Sequence, residues 1–77
     1  MHICVNGVST DIRAPEGGGP LVLLHVLLAL GYATADGKPA GSFVVALNQH
    51  IVTASLYAST LISEGDGVDI LGAITGG

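Results

Sequence analysis

The dipeptide Asn6-Gly7 constrains this chain more than any other feature, because it stands between two short runs that read as strands. His2-Ile3-Cys4-Val5 alternates, with Ile3 and Val5 on one face. A two-residue hairpin turn needs positive φ at both central positions, which Asn-Gly supplies at least cost. Val8 to Arg13 then reads as the returning strand, with Val8 and Ile12 apolar. The chain therefore opens strand–turn–strand. That hairpin must find its cover within 77 residues. A chain of this size buries only about 60% of its surface, enough for one core and too little for a deep internal active site.

Pro15 to Pro20 is a loop by composition, and Pro20 suits the first position of a helix over about Leu21 to Leu30. Leu23, Val26, Leu27 and Leu30 recur at helical spacing and define its core face, with Gly31 as the residue that ends it. Leu21, Leu24 and Leu28 lie off that face, which reads as a wide, well-buried helix or as a self-association or partner patch. Phe43 to Leu47 is a continuous apolar run, expected as a central strand buried on both faces. Asn48-Gln49 turns the chain into His50-Ile51-Val52, and Ala54 to Ala58 reads as one helical or 3₁₀ turn. Glu64 to Gly67 is a tight turn before an alternating strand over Val68 to Ile74. The expected fold is α+β, with one main helix crossing a mixed sheet of four to five strands: the β-grasp arrangement. It is expected as a single domain over 1–77, folded over 1–74, with a flexible tail over 75–77.

Charge is sparse and acidic. Six carboxylates face two basic residues, Arg13 and Lys38, for a net charge of -4. Nucleic-acid binding requires a Lys/Arg patch to neutralise phosphates, and an anionic membrane surface requires the same. A partner protein presenting a basic cradle is the better match. Cys4 is the only cysteine, so no internal disulfide can form, which points to a reducing, cytoplasmic setting. The longest apolar run, Leu21 to Leu30, contains His25 and is half the length of a membrane helix. It is not preceded by the basic segment of a signal peptide.

Candidate chemistry thins out quickly. His2, His25 and His50 have no partners at metal-ligand spacing, so no metal site is expected. Cys4 alternates with Ile3 and Val5 and should point away from the helix-covered face, with no base beside it to make it a nucleophile. Gly17-Gly18-Gly19 precedes a helix but lacks the Lys of a phosphate loop and the spacing of a dinucleotide fingerprint, so it is a connection. Glu64, Asp66 and Asp69 cluster around the last turn, where Asp66 reads as a turn residue and the others as solvated surface or partner recognition.

Gly76-Gly77 stands apart. At this chain's own glycine content, 12 in 77, two closing glycines arise by chance roughly 2% of the time. They follow an alternating strand with no linker between. A backbone without Cβ slides through a narrow channel and carries a terminal carboxylate into another protein's active site.

Taken together, Ile3 to Gly7, Val26 to Gly31, Val45 to Val52 with Tyr57, Glu64-Gly65-Asp66 and Ala73 to Gly77 resemble the ThiS family of thiamin-biosynthesis sulfur carriers, which are ubiquitin-like β-grasp proteins. From about Val44 onward the pattern fits without a gap. Three departures stand out: Thr53-Ala54 where the family usually shows Pro-Arg, leucines at 24 and 28 where charge is typical, and a long loop over Ala33 to Ser42. None touches the tail.

The resemblance implies a protein cosubstrate and not an enzyme, with no cofactor bound. A ThiF-like adenylyltransferase using MgATP would adenylate the Gly77 carboxylate. A persulfide donor would then convert it to a thiocarboxylate, and thiazole synthase would take up the sulfur. Docking is expected on the sheet face opposite the helix, where alternation places Val44, Ala46, Leu71 and Ala73 near Cys4, with Asp66 and Asp69 available to basic groups. Three rivals remain. The molybdopterin synthase small subunit shares fold and tail but closes on prolines that Gly72 to Thr75 lack. A protein-conjugating ubiquitin-like modifier would form isopeptides, and a plain β-grasp interaction module would carry inert glycines.

Overall fold

The computed structural model describes residues 1–13, 17–34, 36, 41 and 43–72. Asn6 and Gly7 both adopt positive φ, 52° and 81°, and join β1 (His2–Val5) to β2 (Val8–Asp11) in register from Val5↔Val8 to His2↔Asp11. The second strand is two residues shorter than expected, and Val8 is exposed. Ile12, past its end, is buried, and its N–H donates to the Met1 carbonyl.

The helix α1 runs Leu23–Leu30, two residues later than the spacing suggested. Leu21 and Val22 stay extended because they pair with the segment before the last turn. The Leu23 N–H donates to the Thr60 carbonyl and the Ile62 N–H to the Leu21 carbonyl, making an antiparallel bridge Val22↔Leu61. Tertiary pairing overrides local propensity here. Pro20 consequently lies outside the helix. His25 sits in the first turn rather than mid-helix, where its Nδ1 accepts the Val22 N–H at 3.3 Å. Gly31, φ 85°, ends the helix as expected, its N–H reaching back to Leu28.

Leu23, Val26 and Leu27 are fully buried and Leu30 partly so, which matches the expected core face. The off-face leucines divide, and the expectation of a wide, well-buried helix is met only in part. Leu21 is buried through the Leu61 bridge segment, Leu24 packs on the core edge, and only Leu28 is exposed. Tyr32 meets Phe43 edge to face at 5.5 Å, joining the helix end to the sheet.

Beyond the helix come β3 (Phe43–Leu47), β4 (His50–Val52), a 3₁₀ helix (Ala54–Ser59) and β5 (Gly67–Gly72). The strands form one mixed sheet ordered β2-β1-β5-β3-β4, with β5 parallel to β1 and antiparallel to β3. Helix and 3₁₀ segment cover one face, and Ile3, Val45, Val68 and Ile70 meet Leu23, Val26, Leu27 and Tyr57 in the core. The expectation that β3 is buried on both faces is corrected. Val45 is closed off, but Val44 looks out from the uncovered face.

Asn48 and Gln49, φ 49° and 71°, make the β3–β4 turn. Asn48 also acts on β5. Its N–H donates to the Gly67 carbonyl at 2.7 Å, and the Gly67 N–H donates to Asn48 Oδ1 at 2.9 Å. In an antiparallel ladder the second bond would go to the backbone carbonyl of Asn48. The turn has swung that carbonyl away, where it accepts from His50 Nδ1, and the side-chain oxygen takes its place. The Asn48 Nδ2 donates onward to Asp66. Asn48→Gly keeps the turn's positive φ and deletes both side-chain bonds, so it should cost about 1–2 kcal/mol in urea denaturation. Asn48→Ala should cost more, because alanine resists the left-handed backbone.

Candidate functional site

The uncovered sheet face is built by alternation across three strands. Register sets Val44 against Leu71, and Ala46 between Asp69 on β5 and Ile51 on β4. Val44 is 40% exposed, Leu71 61% and Ile51 70%. Ala46 is only 8% exposed, so its methyl is the floor of the patch rather than a contact point. Ile51 belongs to the surface although sequence reasoning did not single it out. The signal was there: Ile51 precedes the inward-facing Val52 on a strand antiparallel to β3.

Cys4 lies on the same face, exposed beside Gly67, while its neighbour Ile3 is buried. The predicted outward orientation is correct. With the thiol on an open sheet face, one equivalent should titrate with an aromatic disulfide reagent in native buffer. A requirement for denaturant would contradict this placement.

The three acids around the last turn separate. Asp66 is committed to local structure: Oδ1 accepts from Asn48 Nδ2 at 3.1 Å, Oδ2 accepts from the Ser63 N–H at 2.7 Å, and its carbonyl accepts from the Cys4 N–H. This agrees with its reading as a turn residue. Asp69 is half-buried opposite Ala46, and its carboxylate makes no hydrogen bond among the described residues. It is the acid that faces outward. Glu64 accepts the His2 N–H at 3.0 Å and lies 3.7 Å from the His2 ring, away from this patch.

Ala73, Gly76 and Gly77 lie outside the described residues. β5, which leads to them, pairs with β3 to its last residue, Gly72↔Phe43. Among the described residues no group of His, Cys, Asp and Glu is arranged to hold a metal ion. No helix among them is long and apolar enough to cross a membrane.

One helix laid across a mixed sheet, with the last strand inserted between the first and third, makes this a ubiquitin-like β-grasp protein with one sheet face bare. The ThiS family model matches residues 16–77, and the chain belongs to that family. It is similar to the crystal structure of the thiamine biosynthesis protein ThiS from Geobacter metallireducens, at 27% identity over the full length of both chains and a TM-score of 0.70. The solution structure of a thiamine biosynthesis protein from the same organism superposes with a TM-score of 0.71 at 27% identity, covering all of this chain and 88% of that one. No curated protein matches the chain.

Proposed function

We propose that this protein is a sulfur carrier of thiamin biosynthesis, acting as a cosubstrate through its C-terminal carboxylate. The observation that carries the reading is the match of residues 16–77 to the ThiS family, a span that ends on Gly76-Gly77. The two structures of a 27% identical thiamine biosynthesis protein support it across the whole chain.

The chemistry starts from a poor electrophile. The Gly77 carboxylate attacks the α-phosphorus of MgATP held by a ThiF-like adenylyltransferase, expelling pyrophosphate and forming an acyl-adenylate. AMP is a far better leaving group than oxide. The terminal sulfur of a donor persulfide then attacks the acyl carbon and AMP departs, leaving an acyl disulfide. A thiol cleaves its S–S bond and releases the thiocarboxylate. Thiazole synthase then takes up this sulfur. The carrier brings to these steps only its carboxylate and a docking surface.

That surface is the bare sheet face. Val44, Leu71 and Ile51 supply apolar area, Ala46 supplies the floor, and Ala73 continues the outward positions of β5 in sequence. Asp69 is the acid placed to meet a basic side chain, while Asp66 shapes the turn beneath it. The protein works in the cytoplasm, with neither nucleic acid nor membrane as partner.

Intact-protein mass spectrometry tests the function. Incubation with an adenylyltransferase, MgATP, a persulfide donor and a thiol should exchange one oxygen for sulfur, and deletion of Gly77 should abolish the exchange. Absence of AMP adduct and pyrophosphate with a demonstrably active enzyme would reduce the protein to an interaction module. A separate test addresses docking. Asp69→Lys should slow adenylation severalfold at low salt and less at high salt, because screening removes the charge term. A rate that does not change with either variable would remove Asp69 from the interface.

A further inference from the structure

We propose that Asn6 is a positioning residue whose carboxamide sets the line along which the C-terminal segment leaves the sheet, and so governs how readily the Gly77 carboxylate is activated. The inference rests on the carrier reading above.

The two parallel strands differ in length. Pairing of β1 with β5 covers only Cys4↔Gly67 and Val5↔Val68, whereas β5 continues to Gly72. A parallel ladder would continue with Asn6 lying between Val68 and Ile70, donating its N–H to the first and accepting from the second. The first bond is made: the Asn6 N–H donates to the Val68 carbonyl at 2.9 Å. The second would need the backbone carbonyl of Asn6, but its φ of 52° has begun the hairpin. Asn6 Oδ1 accepts the Ile70 N–H instead, at 2.7 Å. The side chain imitates the missing rung across 64 positions of sequence.

Beyond Ile70, the described partners of β5 are all on β3: Leu71 with Val44 and Gly72 with Phe43. The Asn6–Ile70 bond is therefore the last tie on the β1 edge, among the described residues, before the segment that carries the terminal glycines. A strand held along one edge swings about that edge, and a bond on the opposite edge removes the swing. From Ile70 the seven residues to Gly77 reach at most roughly 23 Å, so swing at the root widens the volume over which the carboxylate is presented. Near-attack geometry tolerates little of that, since about 1 Å of misplacement costs up to roughly a hundredfold in rate.

Asparagine meets two requirements at once, and substitution separates them. Asn6→Gly keeps the positive φ and removes the acceptor; Asn6→Asp keeps both. The experiment follows Ile70 amide exchange by NMR and steady-state pyrophosphate release by the activating enzyme, at a temperature well below each variant's Tm. Asn6→Gly should speed Ile70 exchange and lower kcat/KM about fivefold, the scale of one hydrogen bond, with Asn6→Asp within about twofold of wild type. Val26→Ala, which destabilises the core but leaves the hydrogen-bonding groups on both edges of β5 in place, should leave kcat/KM unchanged. Should Asn6→Gly fail to fold, an ester in place of the Ile70 amide deletes the donor with Asn6 intact, and must produce the same fall.

Three outcomes would overturn the inference: wild-type kinetics in Asn6→Gly despite rapid Ile70 exchange, an equal fall in Val26→Ala, or no rescue by Asn6→Asp. If the wild type itself releases no pyrophosphate with an enzyme active on its own carrier, the carrier reading fails and takes the inference with it. A defect confined to the variants leaves that reading standing.

Discussion

The insertion of β5 between β1 and β3 is the interaction on which the rest of this structure depends. Each flanking hairpin closes locally through its own turn, but neither has a partner until β5 arrives. The parallel bonds from Cys4 and Asn6 on one side, and the antiparallel register from Phe43 to Leu47 on the other, join two ribbons into one sheet. Val68 and Ile70 then complete the apolar floor on which α1 rests. Among the described residues one helix and a short 3₁₀ segment serve as cover, and they bury one face while Val44, Ile51 and Leu71 on the other stay exposed.

Much of this was legible in the residues. Asn6-Gly7 and Asn48-Gln49 each mark a turn because few side chains tolerate positive φ. The helix face at Leu23, Val26, Leu27 and Leu30 follows from its spacing. The start of the helix was not legible. Leu21 and Val22 have helical neighbours and an apolar character that suits either state, and only the distant Leu61 holds them extended. Periodicity reports local geometry and carries no information about a partner forty residues away.

The candidate site divides in the same way. Alternation along β3 and β5 placed Val44 and Leu71 on the outer face, because a strand has only two sides. It did not show that Ala46 would be closed over, since that depends on Ile51 and Asp69 arriving from two different strands. Nor does it distinguish Asp66 from Asp69: both are acids near a turn, and only the bonds to Asn48 and Ser63 separate the structural one from the free one. The side chains of Asn6 and Asn48 are harder still to foresee. Each stands in for its own diverted carbonyl, a role that exists only once β5 lies alongside.

The central place of β5 has a mechanical side. A force applied along β5 toward its C-terminal end runs parallel to β1 and antiparallel to β3. The load then falls on the hydrogen bonds of both edges together, in shear, rather than opening them one after another as peeling an outer strand would. A pull on this strand is met by both of its neighbours at once, so the folded body moves as a unit.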